Sequence, residues 1–369
     1  MPPSTDISSI QRLITNRLAE AAIGDKAIAG VIGDGPSHYS KSPAMWNAAF
    51  ARLGINAIYL PFDVEDTQVG ELLKALRSSP RFMGINVTLP HKVRVIDYLD
   101  ELDRGAARIG AVNTVVKRDD GKLVGYNTDG AGFIDSLLLT APAEREAFME
   151  SLDGIDVLLL GAGGSARAVA FHLSDHIGGG KLSIANRTRS HAEELAGEIA
   201  RLSRHAVAID EVEIPRYAPR VGLIVNSTTK GQGGVRKLAD GKATLLEPYS
   251  ALAPANPPLV ADGAATNFEK RWYDRAQADV GANNEASLAL ARSIPPATRF
   301  YDLIYHPTET VFLQHGQRSG HRTMNGKSMI VRQAVRSFCN HVCQTRLMET
   351  GQNDEKTFRL VTEVMFRAW

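Results

Sequence analysis

The sequence predicts an α/β protein of two domains, each built on a mostly parallel β-sheet. Short apolar runs alternate with helical patterns over residues 27–129 and again from residue 155 onward. This alternation favours doubly wound, mostly parallel sheets. A glycine-rich turn over residues 161–167 connects a buried apolar run to a helix, forming a strand–turn–helix unit. The length of 369 residues is sufficient for two hydrophobic cores.

The elements of the first half follow from turn and capping residues. Residues 6–23 have an amphipathic helical pattern. The apolar run 27–33 predicts a strand because it ends in a turn rich in Gly and Pro. Ser42 is predicted to be the N-cap and Pro43 the first residue of a helix that ends near residue 53. Further strands are predicted at residues 57–62 and 84–88, a helix at 69–76, and a hairpin with strands at 112–117 and 123–126.

The second half repeats the alternation. Residues 156–160 predict a buried strand because the run is short and rich in branched apolar side chains. An apolar helix follows to about residue 177. Over residues 232–297, Gly, Ala, Pro and scattered charges leave no clear pattern. The other predicted elements are strands at residues 182–186, 222–226 and 300–305 and helices at 190–202, 327–342 and 355–366.

Composition excludes several classes of function. A net charge of +1 offers no electrostatic basis for binding nucleic acid or an acidic membrane. No apolar run reaches the length of a membrane span, and the N-terminus has no signal-peptide pattern. The two cysteines, Cys339 and Cys343, lie four residues apart in a predicted helix, which favours packing over a metal site or a disulfide. We expect a cytoplasmic protein that binds no metal, and the sequence leaves monomer and homodimer both open.

Residues 161–166 form the clearest binding motif. Gly161, Gly163 and Ala166 have the G-x-G-x-x-A spacing between a strand and a helix. Gly161 permits the tight turn, Gly163 lets a pyrophosphate approach the backbone, and Ala166 allows close helix–strand packing. The helix N-terminus supplies N–H groups for phosphates, so Rossmann-like dinucleotide binding is predicted. Ala162, Gly164 and Ser165 complete the predicted loop.

The end of the next strand indicates which dinucleotide binds. An NAD site would place a carboxylate there for the ribose 2′-hydroxyl. The chain instead has Asn186, Arg187, Thr188 and Arg189. Because a guanidinium can grip a 2′-phosphate with charged hydrogen bonds, NADP is favoured over NAD.

Lys92 is a candidate functional residue. Apolar and polar residues alternate over residues 84–88, which predicts a strand, and Pro90 suits the first position of a following helix. Lys92 would then lie in the first helical turn, where a cation opposes the helix dipole. A stabilising role is therefore not expected there. A solvated surface lysine is the alternative interpretation.

Asp129 is the candidate partner of Lys92. It follows Asn127 and Thr128 in a polar stretch between two glycines, which is typical of a ligand-binding loop. The alternative is that Asp129 caps the next helix. Further candidates are Asn113, which with Thr114 interrupts an apolar strand, and the hydroxyls of Ser40 and Ser42 at a helix start, where a carboxylate can bind.

Taken together, these motifs resemble the shikimate dehydrogenase family. They occur in the order of the family and cover roughly residues 27–343, and the ordered set is far more specific than any single motif. The matching segments are Ser40-Lys41-Ser42-Pro43, Asn86-Val87-Thr88-x-Pro90-x-Lys92, Gly110-Ala111-Val112-Asn113-Thr114, Asn127-Thr128-Asp129-Gly130, Gly161-Ala162-Gly163-Gly164, Asn186-Arg187-Thr188 and Tyr301-Asp302-x-x-Tyr305.

The resemblance implies a reversible, NADP-dependent interconversion of shikimate and 3-dehydroshikimate in aromatic amino acid biosynthesis. Lys92 and Asp129 would be the catalytic pair at the reacting hydroxyl. The carboxylate of the substrate would be held by Ser40, Ser42 and Tyr305, and its ring hydroxyls by Asn86, Thr88, Asn113 and Gln333. The cofactor would be held by Gly161, Gly163, Ala166, Asn186, Arg187 and Thr188.

The resemblance also implies the domain organisation. Residues 1–129 with about 326–369 would form the α/β substrate domain, and residues 130–325 the Rossmann-like NADP domain, with a cleft between them. The link from Asn226 to Asp302 exceeds the usual length in the family by roughly 50 residues, which predicts an insertion around residues 232–297. The insertion would add an edge element, an oligomer contact or a lid.

Three further departures from the family pattern bear on specificity. His191 stands where the family commonly has an arginine, for which Arg189 would substitute. Lys327 and Ser328 alter the run before the last long helix, and the turn at residues 33–38 differs in length. The alternatives are therefore a dehydrogenase of quinate or another cyclic polyhydroxy acid, and a non-catalytic sensor of shikimate-pathway acids. Retention of both Lys92 and Asp129 argues against the sensor.

Overall fold

The computed structural model describes residues 5–202, 205–238, 240–261, 263 and 266–369. They form two compact units. The first comprises the described residues up to Ala147 together with Ser328–Trp369, and the second is Phe148–Lys327. The division therefore falls after residue 147, later than the predicted boundary at residue 129.

The first unit contains a six-stranded mixed sheet in the order β2-β1-β3-β5-β6-β4. Strand β1 is parallel to β2 and β3, whereas β3–β5 and β5–β6 are antiparallel. The strands are β1 (Ala27–Gly33), β2 (Ala57–Asp63), β3 (Phe82–Val87), β4 (Glu101–Leu102), β5 (Thr114–Lys117) and β6 (Leu123–Tyr126). The helices before Ala147 are α1 (Thr5–Gln11), α2 (Glu20–Ile23), α3 (Pro36–Tyr39), α4 (Ser42–Leu53), α5 (Val69–Ser78), α6 (Arg104–Ile109) and α7 (Asp129–Leu138), with 3₁₀ turns at Asp66–Gln68 and Arg94–Tyr98.

The second unit contains a parallel six-stranded sheet in the order β15-β14-β10-β7-β8-β9 and a separate antiparallel sheet, β11-β12-β13. The strands are β7 (Val157–Leu160), β8 (Leu182–Ala185), β9 (Ala206–Ile209), β10 (Leu223–Asn226), β11 (Val235–Lys237), β12 (Lys242–Leu245), β13 (Val260–Ala261), β14 (Arg299–Asp302) and β15 (Thr323–Met324). The helices are α8 (Gly164–His176), α9 (Arg189–Ala200), α10 (Ile214–Tyr217), α11 (Phe268–Ser293) and α12 (Val311–Arg318), with 3₁₀ turns at Glu211–Glu213 and Ala218–Arg220. Parallel strands with helical crossovers are the predicted α/β architecture.

The C-terminal helices complete the core of the first unit. They are α13 (Lys327–Ser337), a π-helix (Phe338–Val342), α14 (Gln344–Glu349) and α15 (Glu355–Arg367). Phe338 packs against Trp46 of α4, with ring centroids 5.1 Å apart. Cys339 and Cys343 are buried in the same cluster, where burial raises the pKa of the Cys339 thiol to about 12. Both cysteines therefore act as packing residues.

The prediction of one helix over residues 6–23 is wrong. Two short helices flank an irregular segment because Asn16 pairs with the backbone of β2. Its side-chain amide donates to the Pro61 carbonyl at 3.0 Å and accepts from the Asp63 N–H at 2.8 Å. A side chain that forms hydrogen bonds with the backbone of a strand favours a non-helical conformation of its own segment.

Residues 232–297, where no element was predicted, contain a small folded module. Strands β12 and β13 pack on α11 through a cluster that includes Phe268, Trp272 and Ala276. These three residues recur every four positions, which is the helical signal that the surrounding polar residues obscured. The rest of the buried face of α11 includes Asn283 and Ser287, which a search for apolar periodicity misses.

No helix in the described part of the chain is long and apolar enough to cross a membrane.

Asp302 at the end of β14 connects three segments of the second unit. It is fully buried, and its carboxyl accepts hydrogen bonds from Asn226 Nδ2 (3.0 Å), the Ile304 N–H (2.9 Å) and Thr310 Oγ1 (2.6 Å). Burial raises the pKa of Asp302 to about 7, and these hydrogen bonds oppose the rise. The protonated carboxyl can in turn donate to Thr310 Oγ1.

We expect Asp302 to make folding stability depend on pH. Between about pH 4 and pH 7 the folded protein keeps a proton that the unfolded chain has released, because the folded-state pKa lies above the ordinary 3.8. Relative to Asp302→Asn, which cannot titrate, the wild type should lose up to about 1.4 kcal/mol of unfolding free energy per pH unit as pH rises. Urea unfolding at several pH values measures this difference. The exposed Asp274→Asn is the control, and parallel pH profiles for wild type and Asp302→Asn would contradict the expectation.

Candidate active site and cofactor cavity

Lys92 and Asp129 form a direct ion pair in the first unit. Lys92 Nζ lies 2.6 Å from Asp129 Oδ2, and the side chains are 20% and 7% exposed. Asp129 is the first residue of α7, where a carboxylate suits the helix dipole. Its oxygens face Lys92 and Asn113, and the structure shows no capping bond from its side chain among the described residues.

The predicted helix at Pro90 is absent from the structure. Residues 89–93 form turns, and the helical segment that follows is the 3₁₀ turn Arg94–Tyr98. The carbonyl of Lys92 accepts a hydrogen bond from the Val112 N–H at 2.8 Å, so it does not start a helical ladder. The helix-dipole argument for Lys92 therefore fails. The contact with Asp129 is what distinguishes Lys92 from a surface lysine.

Asn113 holds the carboxylate of Asp129 in place. Its Nδ2 lies 2.8 Å from Asp129 Oδ1, 2.9 Å from Thr128 Oγ1 and 3.2 Å from Gln333 Oε1. Its Oδ1 accepts from the Thr128 N–H at 2.9 Å. Gln333 belongs to α13, so a network across three segments orients the pair.

Asn86 is a buried neighbour of this network, and its Nδ2 donates to the Asn113 carbonyl at 3.1 Å. It is 8% exposed, its Oδ1 accepts from the Tyr59 hydroxyl at 2.7 Å, and its Nδ2 lies 2.8 Å from Ser337 Oγ and 3.0 Å from Thr114 Oγ1. Burial raises the pKa of Tyr59, and a hydrogen bond with Ser42 opposes this rise. Asn86 and Ser42 thus meet the same tyrosine hydroxyl.

The remaining predicted substrate residues lie in both units. Ser40 and Ser42 are half-buried, and the Ser42 N–H donates to Ser40 Oγ at 3.2 Å. The N-cap of α4 is Lys41, not Ser42 as expected, so Ser42 is the first helical residue. Thr88 is half-buried directly after β3. Tyr305 belongs to the second unit, where burial raises the pKa of its hydroxyl.

A cavity of about 620 Å³ lies in the second unit beside the glycine turn, within the range of small-molecule sites. Gly161 has φ +109° and a Cβ there would meet Ser227 Oγ at 2.6 Å, so this turn requires glycine. The N–H of Ala162 donates to Asn186 Oδ1 at 3.2 Å, which connects the turn to the end of β8. Of the predicted cofactor residues, Gly161, Ala162, Gly163, Asn186 and Arg187 line the cavity.

The other predicted cofactor residues lie outside the lining of the cavity. Gly164, Ser165 and Ala166 form the first turn of α8, and Ala166 is fully buried against the sheet. Thr188 is the N-cap of α9. Arg189 Nε is paired with Glu193 at 2.8 Å and Arg189 Nη1 lies 3.9 Å from Glu213, so its guanidinium faces two carboxylates.

Sequence reasoning missed several lining residues. Ser227, Thr228, Thr229 and Lys230 follow β10, and a polar run directly after a buried strand was an available signal. Arg236 comes from β11, in the region without a pattern, and no signal in the sequence indicated it.

Comparison with known proteins gives a consistent result. The family model described as the shikimate dehydrogenase substrate binding domain matches residues 31–115, and the model described as shikimate/quinate 5-dehydrogenase matches residues 143–237. The chain is 37% identical over 316 residues to a shikimate dehydrogenase (NADP(+)) of Symbiobacterium thermophilum, covering 85% of this chain and 87% of that protein.

Solved structures of shikimate dehydrogenases are similar to this chain over most of its length. A shikimate dehydrogenase in complex with NADP+ has a TM-score of 0.64 and 28% identity, covering 94% of this chain and 95% of that one. A shikimate 5-dehydrogenase of Listeria monocytogenes in complex with shikimate and NAD has a TM-score of 0.67 and 25% identity, covering 95% and 99%.

We expect Gly132→Ala to destabilise the first unit. A Cβ at Gly132 would lie 2.5 Å from the backbone nitrogen and 2.7 Å from the Cα of Gln333, and backbone atoms cannot rotate away. The net loss of unfolding free energy should be about 1–3 kcal/mol by urea unfolding. Gly281→Ala is the matched control, because it also lies in a helix but has open space around its Cβ. It should be neutral or stabilising by up to about 1 kcal/mol, and equal stability of the two variants would contradict the expectation.

Proposed function

Because the chain belongs to the shikimate dehydrogenase family, we propose that it catalyses the reversible, NADP-dependent reduction of 3-dehydroshikimate to shikimate. The reaction belongs to aromatic amino acid biosynthesis, and the proposal places it in the cytoplasm, where thiols such as Cys339 and Cys343 stay reduced. The observation that carries the proposal is the contact of Lys92 Nζ with Asp129 Oδ2 at 2.6 Å.

This pair fits the proton transfer that alcohol oxidation requires. Removal of a hydride from a secondary alcohol requires that its hydroxyl proton leave as well. NADP supplies the hydride chemistry, and the protein positions and polarises the groups around it. In the proposed mechanism, Lys92 Nζ donates a proton to the substrate oxygen during reduction and receives it during oxidation. Asp129 holds the ammonium in place, and Asn113 fixes Asp129.

The remaining assignments follow the same proposal. Ser40, Ser42 and Tyr305 would bind the substrate carboxylate, and Asn86, Thr88, Asn113 and Gln333 would recognise the ring hydroxyls. Polar groups matched to each hydroxyl discriminate strongly, since an analogue that lacks one leaves a buried partner unpaired. Asn86 forms hydrogen bonds with Tyr59 and Ser337, so it would also position the neighbouring side chains of the site.

The cofactor residues fit NADP. The turn at Gly161 and Gly163 gives the pyrophosphate access to the backbone, and the N-terminus of α8 supplies N–H groups. Arg187 lines the cavity, and no carboxylate pairs with it among the residues that the structure describes. It is therefore available to a phosphate.

A panel of substrates and cofactors tests the function. We expect the purified protein to oxidise shikimate with NADP, measured as the rise in nicotinamide absorbance, and to prefer NADP to NAD. Quinate and related cyclic acids should react more slowly, because the polar groups of the site are matched to shikimate. A preference for quinate with NAD would contradict the proposal, and binding of shikimate without turnover would indicate the non-catalytic sensor.

We expect Lys92→Ala to lower kcat about 10²–10⁴-fold, the usual contribution of a positioned acid–base group. The affinity for shikimate, measured by calorimetry, should change only a few-fold. Lys74→Ala, which removes a 72% exposed lysine, is the matched control and should keep full activity. Circular dichroism verifies the fold of both variants, and unchanged turnover of Lys92→Ala would refute its assignment.

A further inference from the structure

The three-stranded sheet β11–β13 and its connecting loops form part of the wall of the cofactor cavity. Besides Arg236, this part of the chain lines the cavity with residues of β12 and of the loop before β13, among them Thr244, Asn256 and Pro257. The module is therefore placed to contact whatever occupies the cavity, in addition to packing on α11.

Two arginines of the cavity wall have no carboxylate partner among the described residues. Glu211 is the one carboxylate among the described lining residues, and Lys230 pairs with it at 3.0 Å. Both side chains are largely buried, 12% exposed for Lys230 and 16% for Glu211, and Lys230 Nζ also donates to the Ala253 carbonyl at 3.0 Å. Arg187 and Arg236 line the same cavity, and the described residues place no carboxylate within ion-pair distance of either.

Arg236 is held at the cavity wall by one hydrogen bond. Its Nη1 donates to Thr229 Oγ1 at 2.8 Å, and Thr229 also lines the cavity, in the loop after β10. An arginine has five N–H donors, so this bond fixes its position and leaves donors for a ligand. Two guanidiniums beside a glycine turn that admits phosphates suit a phosphate dianion.

Arg189 already faces two carboxylates in this structure. It is paired with Glu193 and lies near Glu213, and it is absent from the cavity wall described by the structure. A 2′-phosphate gripped by Arg187 alone would keep much of its charge uncompensated. Of the other described cations that line the cavity, Lys230 is paired with Glu211, which leaves Arg236 as the second cation available to a phosphate.

We propose that Arg236 binds the 2′-phosphate of NADP together with Arg187, and that the module of β11–β13 thereby contributes to cofactor specificity. The inference rests on the proposed use of NADP and adds a residue from a part of the chain to which sequence patterns gave no role. Arg236 provides charge and paired hydrogen bonds to the group that distinguishes NADP from NAD.

Calorimetric binding without substrate tests this role independently of turnover. The ligands are NADP, NAD, adenosine 2′,5′-bisphosphate and adenosine 5′-monophosphate. Arg236→Ala should weaken NADP and the bisphosphate about tenfold or more and change the other two less than about twofold, as expected for one lost charged contact. Arg236→Lys should recover only part of the loss, because a lysine keeps the charge without the paired donors.

Lys237→Ala is the matched control. Lys237 is the exposed neighbour on the same short strand, its side chain points to the other face by strand alternation, and it does not line the cavity. It should bind all four ligands as the wild type does. An equal loss for Lys237→Ala would overturn the proposal, because it would reduce the effect to general surface charge.

Two further outcomes overturn the proposal. Equal weakening of NADP and NAD by Arg236→Ala would place Arg236 at the pyrophosphate instead, and unchanged binding of all ligands would place it outside the site. Failure of the proposed function is distinguishable from both, since it is measured on the wild type: either NADP does not bind to it, or NADP binds and shikimate is not turned over.

Discussion

The close approach of α7 and α13 is the constraint on which the candidate site depends. At Gly132 the two helices are so near that a methyl group would meet the backbone of Gln333 at 2.5 Å. Arg336 and Asp135 connect the same helices with two hydrogen bonds of 2.5 and 2.7 Å. This contact brings Gln333 to Thr128 and Asn113, and Asn113 in turn orients Asp129. The orientation of Asp129, the partner of Lys92, thus depends on packing between helices that are almost two hundred residues apart in the chain.

Several buried or largely buried carboxylates of the structure are paired with cations. Asp129 and Asp135 are nearly buried, and each faces a cation, as the cost of burying a carboxylate requires. In the second unit, Lys230 and Glu211 satisfy one another at the cavity wall. An arginine of this cavity wall that has no carboxylate partner is therefore a candidate for binding an anionic ligand. Among the described residues, Asp129, Asp135 and Glu211 each pair with a cation, whereas Arg187 and Arg236 have no carboxylate within ion-pair distance.

The outcome of the sequence-based predictions has a physical pattern. Strands such as β7 and β8 and the turn at Gly161 were predicted correctly, because alternation, turn chemistry and glycine conformations have local causes. The errors occurred where distant groups intervene. Asn16 interrupts the predicted N-terminal helix by pairing with β2, and the Lys92 carbonyl pairs with Val112 in place of a helical partner. The module around α11 was missed because polar residues share its buried face.

The sequence by itself determined the fold class, the dinucleotide motif and the residue types of the candidate site, including Lys92, Asp129 and Asn113. The tertiary structure alone decided how these residues are combined. Ser337 reaches Asn86 from 251 residues away, Arg189 pairs with Glu193, and Arg236 comes to the cavity beside the glycine turn from a segment with no recognisable pattern. The physical reason is that short-range sterics and hydrophobic alternation are written in consecutive residues, whereas the partner of a charge or an amide is chosen by the packing of segments that the chain brings together only when it folds.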